Sequence, residues 1–187
     1  AERLAQINRD NNNLNVQVVD VQHIYNEFSS GNQDISAIRN FIRYVYSNQS
    51  NENALKYICL FGDASFDYKD RIASNTNIIP SWYSLNSFSL SSSYVSDDFF
   101  GMMDFNEGLM SSSNKLDIAV GRILADSNDR AVDLVDKIES YYSQDSFDDW
   151  RNKLIVISDD VDEPWENIIQ STSNNIADLI SENKPFF

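Results

Sequence analysis

Apolar residues along this chain follow two rhythms. In four places they run almost contiguously: 15–21 (NVQVVDV), 55–63 (LKYICLFGD), 115–123 (KLDIAVGRI) and 152–158 (NKLIVIS). Short runs of β-branched and aliphatic residues without polar alternation predict strands buried on both faces. Elsewhere the spacing is helical. Residues 1–13 place Leu4, Ala5 and Ile7 on one side, and 35–46 repeat Ile35, Ile38, Phe41, Ile42 and Val45. A third helix after Ser127 carries Ala131, Leu134, Val135, Ile138, Tyr141 and Tyr142, and a fourth over 165–182 carries Trp165, Ile168, Ile169, Ile176 and Leu179. Asp34 or Asn32 stands where an N-cap is needed for 35–46, and Ser127 where one is needed for the third helix.

Strands alternating with helices predict an α/β fold whose mainly parallel sheet is covered by helices on both faces. In such sheets, functional groups gather at the carboxyl ends of the strands. Those ends carry Asp20, Asp63, Arg122, Asp159 and Asp160. Residues 64–114 break the alternation. They hold little periodicity, a serine-rich run (84–93), Pro80 and Trp82, and a loop of that length inside a domain is usually functional or held by something.

Composition narrows the function. The 187 residues include 29 acidic and 14 basic side chains, for a net charge of −15. That balance argues against nucleic acid or an anionic membrane surface as partner. No apolar run approaches the ~18 residues that span a bilayer, so direct membrane insertion is not expected. No Gly-rich phosphate cradle is present. The chain lacks an initiator Met and stops just after a helical pattern, which suggests a piece of a longer protein.

The only cysteine, Cys59, lies inside the second apolar run, and the only histidine, His23, follows the first. A catalytic thiol must be open to substrate and paired with a base. A mid-strand position predicts packing for Cys59 instead, and His23 reads as a partly exposed loop or helix-start residue. No catalytic residue is therefore assigned. Carboxylates cluster after the second strand (Asp63, Asp67, Asp70) and in the long loop (Asp97, Asp98, Asp104, Glu107). They cap turns, or they share a cation. Arg122 is expected to pair with a strand-end aspartate, Asp63 being one candidate.

The order of local motifs adds a family. FGDASFDYKDR (61–71) is followed by IIPSWYS (78–84), SYVSDDFFGMMD (93–104) and LDIAVGRILADSNDRAVDLVDKIESYY (116–142). This series resembles the amino-terminal half of the gingipain-type cysteine peptidase module, and more narrowly the signal peptidases of the type IX secretion system of Bacteroidetes. The resemblance implies a caspase-like fold with 1–150 as the scaffold sub-domain and 151–187 as the start of a second sub-domain that carries the catalytic His and Cys further along. Neither His23 nor Cys59 matches those catalytic positions. It also implies removal of carboxyl-terminal sorting signals from protein substrates, a location outside the cytoplasm at the outer membrane or cell surface, and a structural calcium, which Asp63 and Asp97 would help to hold. The missing catalytic sub-domain and a peptide substrate are the implied partners. A non-catalytic α/β binding module is the competing reading.

Overall fold

The computed structural model describes residues 1–50, 54–86 and 88–183, which form two compact units divided between Ser140 and Tyr141. The first unit is organised by helix α3 (Ile35–Ser47). Asp34 opens it by accepting a hydrogen bond from the Ser36 N–H (2.7 Å), and its i, i+3/i+4 stripe buries Ala37, Ile38, Arg39 and Ile42. Ahead of it lie α1 (Glu2–Asn12) and α2 (Val21–Ser29). Ile24 and Tyr25 of α2 join Ile38 and Ile42 in the core, and Phe28 meets Phe41 edge to face with ring centroids 5.9 Å apart.

Strands β1 (Tyr57–Phe61) and β4 (Ala119–Ile123) pair in parallel, with Tyr57 opposite Ala119 and Phe61 opposite Ile123. The α/β class and the parallel pairing thus match the hydrophobic pattern. The crossover between the two strands is the long segment, which contains an antiparallel ribbon of β2 (Trp82–Tyr83) and β3 (Val95–Ser96). What holds this segment is its aromatic and sulfur side chains. Trp82, Phe99, Phe100 and Met103 enter the same core as Leu60 and Ile118, with Phe100 wholly enclosed. Burying a side chain of that size contributes about 2–3 kcal/mol. Gly101 lets the loop meet the strand approach closely. A Cβ there would stand 2.6 Å from the Ile118 carbonyl oxygen.

After β4, Ser127 starts α4 (Asn128–Tyr141). Its carbonyl accepts from the Ala131 N–H (3.0 Å) and its Oγ from the Arg130 N–H (3.3 Å). Arg3 of α1 pairs with Asp136 and Glu139 on this helix.

Two of the four expected strands are absent. Residues 13–20 have no regular structure and lead into α2, which the sequence reading missed. Asp20 caps that helix (Gln22 N–H, 2.8 Å), and the spacing of Ile24, Tyr25 and Phe28 outweighs the β-propensity of NVQVV. His23 is consequently an exposed helical residue. Cys59 is corrected as well. Strand alternation turns Leu60 inward, only 4% exposed, and Cys59 with its partner Gly121 to the other side, where the sulfur's residue is exposed and a Cβ on Gly121 would meet nothing within 4 Å.

In the second unit, 3-10 turns at Gln144–Ser146 and Asp149–Asn152 fold around Arg151. Its guanidinium lies 4.0 Å from the ring centroids of both Tyr141 and Phe147. Residues 153–161 form no strand, and Ile155 and Ile157 are 78% and 88% exposed. A strand needs a neighbour to satisfy its ladder, and no described residue supplies one. A capping box on Glu163 and Glu166 then leads into α5 (Asn167–Asn183).

Candidate functional site

The carboxyl ends of β1 and β4 meet at Arg122. Its position on β4 faces Leu60 across the ladder, so the side chain sits on the buried side and reaches past the strand end. Nε and Nη2 hold the two oxygens of Asp97, each at 2.7 Å. Nη1 donates to the carbonyl oxygens of Gly62 (2.8 Å) and Ile79 (2.7 Å). Ser81 Oγ donates to Asp97 Oδ1 at 2.8 Å. The Arg122 side chain is 8% exposed and that of Asp97 24%. Burial pushes the Asp97 carboxyl up, but the Arg122 and Ser81 hydrogen bonds outweigh it and hold its pKa below the ordinary value. Tyr83 feels the same pair. Burial raises its phenol, Arg122 lowers it and Asp97 raises it, with a net rise.

Asp63 organises the adjoining turn. Its backbone oxygen accepts from the N–H groups of Ile78 (2.9 Å) and Ile79 (3.0 Å). Its carboxylate accepts from the Ala64 N–H (3.0 Å) and Thr76 Oγ1 (2.8 Å). Gly62 is required just before it, because a Cβ there would stand 2.7 Å from Ile78 Cγ2. Asp67 closes a further turn by accepting from the N–H groups of Arg71 and Ile72. Asp117 and Glu107 likewise accept from backbone N–H groups of the long loop.

Arg122 therefore pairs with Asp97 and not with Asp63, to whose turn it is joined through the Gly62 and Ile79 carbonyls. Sequence reasoning placed the arginine correctly at a strand end and expected a structural ion pair. It could not choose the partner, because Asp97 reaches the site through the irregular crossover. For calcium at Asp63 and Asp97 the donor set does not fit as it stands. Both Asp97 oxygens face a guanidinium, and a hard cation in contact with them would displace that arginine. Among the described residues, no group of three or more His, Cys, Asp or Glu side chains is placed to hold a metal ion.

The arrangement is an internally satisfied ion pair at the strand ends. Arg122 and Asp97 neutralise each other, and the groups around them are hydrogen-bond donors and carbonyls. Its chemistry is positional: one planar cation ties β4, the β1 turn, the 78–81 segment and the turn after β3 at the strand ends. Cys59 and His23 lie on separate elements, and no hydrogen bond or ion pair joins them among the described residues. Crowding by neighbouring atoms raises the thiol pKa, with Arg122 and the amino terminus pulling the other way.

Comparison with known proteins sets this site in context. The crystal structure of dimeric latent PorU from Porphyromonas gingivalis matches 82% of the chain with a TM-score of 0.61 and 27% sequence identity. The match spans 15% of that protein's length. No curated protein matches. No helix among the described residues is long and apolar enough to cross a membrane. The sequence profile of peptidase family C25 matches residues 1–187 from end to end, and the chain belongs to that family.

Proposed function

We propose that these residues form the scaffold portion of a cysteine endopeptidase that removes carboxyl-terminal sorting signals in type IX secretion. Its thiol and imidazole come from segments outside 1–187. Family membership and the likeness to PorU support the reading, as does the short share of that protein's length that the chain spans. The single observation that carries it is the strand-end knot of Arg122 and Asp97. It is saturated with internal bonds at the edge where α/β proteins place their sites, which suits a scaffold that holds loops beside a catalytic half. By the same reading the protein works outside the cytoplasm, on peptide segments of secreted proteins. Its sub-domain boundary lies near 150, and the rest of the polypeptide is its first partner. Calcium enters this proposal only through a rearrangement that frees Asp97 from Arg122.

The test is peptidase activity of the full-length protein on a substrate carrying a carboxyl-terminal sorting signal. Activity is expected to be blocked by thiol alkylation of the intact enzyme and to survive Cys59→Ala and His23→Ala. Loss of turnover in a folded Cys59→Ala protein sinks the scaffold reading. A protein that binds the signal without cleaving it is instead the non-catalytic module.

A further inference from the structure

A second arginine, on the opposite flank of the long loop, is held differently. Arg39 on α3 is 6% exposed. Its Nε donates to the Met102 carbonyl and its Nη2 to the Asp104 carbonyl, both at 2.8 Å. Its Nη1 has no hydrogen-bond acceptor among the described residues. Nor does any carboxylate among them lie within the 4.0 Å of an ion pair with it. Glu107 attracts the guanidinium from further away, but its oxygens are engaged by the N–H groups of Asp104 (3.0 Å) and Lys115 (3.3 Å). This is a largely buried arginine whose third nitrogen stays open to solvent, in a chain of net charge −15.

Arg39 borders an open cavity of about 320 Å³. Gly108 lines it, and a Cβ on Gly108 would stand 3.7 Å from Nη1, so the missing side chain keeps that edge of the guanidinium open. Trp82 and Phe99 supply apolar wall, while Ser36 and Asn40 stand at the α3 side. The Phe99 ring centroid lies 5.4 Å from Cζ of Arg39. The volume suits a small organic group rather than a bare ion.

We propose that this cavity binds a carboxylate borne on an apolar or aromatic group, such as the terminal residue of a peptide, with the carboxylate on Arg39 Nη1 and the apolar part against Trp82 and Phe99. One open nitrogen suits a monoanion better than a phosphate, whose three oxygens call for several donors. The acidic surface repels anions in general, so a bound one gains from the apolar contact as well as from the charge. This site is independent of the peptidase reading and stands or falls without it.

The probe is N-acetyl-phenylalanine, titrated calorimetrically into the full-length protein beside its amide and inorganic phosphate. Saturable binding of the acid is expected, with the amide at least about tenfold weaker, as one lost charge-assisted hydrogen bond implies. Gly108→Leu, which fills the space beside Nη1, is expected to abolish binding. Asn40→Asp, an exposed change that adds a negative charge at the α3 side, is expected to weaken it several-fold and decides the matter if the leucine variant does not fold. Absence of saturable binding, equal affinity for the amide, tighter binding of phosphate, or an Asn40→Asp protein with unchanged affinity overturns the proposal.

Discussion

Arg122 and Asp97 lie 25 residues apart in the chain and face each other through two parallel hydrogen bonds of 2.7 Å. The planar fork matches the carboxylate, and the Gly62, Ile79 and Pro80 carbonyls with the Ser81 hydroxyl satisfy what remains. Replacing only the acid leaves an arginine that is 8% exposed without its counter-charge. Asp97→Asn is therefore expected to cost about 3–5 kcal/mol in chemical denaturation at neutral pH.

The same pair sets an acid limit. The folded-state pKa of Asp97 lies below its ordinary 3.8, so the stability it adds is complete above that value and is lost as pH falls through the depressed one. The stability gap between wild type and Asp97→Asn is expected to stay constant from neutral pH down to about 5 and to shrink below 4. Denaturation curves across that range check it, and a gap that persists undiminished at pH 2 rules out the linkage.

Tyr25 supplies the alkaline counterpart. Its hydroxyl is buried with no hydrogen-bond partner among the described residues, and burial, with a smaller push from Asp34, raises its pKa from 10.0 to about 12. Its neutral form is the one the fold accepts. Stability from this residue is full below pH 10 and falls as pH rises towards 12, by roughly 2–3 kcal/mol in all. Tyr25→Phe removes an unsatisfied group, so it is expected to be neutral or stabilising by about 1 kcal/mol at pH 7 and to blunt the alkaline loss. Urea denaturation at pH 7 and pH 11 reads both.

Two glycines separate close approach from open space. Gly101→Ala would push a Cβ to 2.6 Å from the Ile118 oxygen and 2.7 Å from Val120 Cγ2, and is expected to cost roughly 1–3 kcal/mol. Gly121→Ala, with nothing within 4 Å, is expected to be neutral or to stabilise β4 by up to about 1 kcal/mol. Thermal melting of the two variants side by side distinguishes them.

Calcium at millimolar concentration is expected to leave the melting temperature unchanged relative to chelator, because Arg122 occupies both Asp97 oxygens. A rise that Asp97→Asn abolishes would establish the ion at that carboxylate.

How much of this was readable in advance follows from the range of the interactions. The β1 and β4 segments, the Asp34 and Ser127 caps and the apolar stripe of α3 are local patterns, and they formed as the spacing indicated. Residues 15–21 and 152–158 carry an equally strong β signal, yet a strand is a relation between two segments, and neither found a partner among the described residues. Helix α2 was hidden because its stripe of Val21, Ile24, Tyr25 and Phe28 begins inside that β-prone run. Cys59 misled for a related reason: an apolar run suggests burial on both faces, whereas pairing put Leu60 inside and the thiol outside. At the site, Arg122 stood out at its strand end. Asp97, Ser81 and the open nitrogen of Arg39 depend on how a crossover without regular periodicity folds back, which no short-range rule encodes.

The bare stretch Leu154–Ile157 has a practical consequence. Four uncharged aliphatic residues in a row, with no strand partner among the described residues, favour β-pairing between copies. Lys153 on one side and Asp159 and Asp160 on the other act as gatekeepers, repelling like neighbours in a stack. Purification at high salt screens those charges, so colloidal stability of the chain should be sought at low ionic strength, where the guards around the stretch still work.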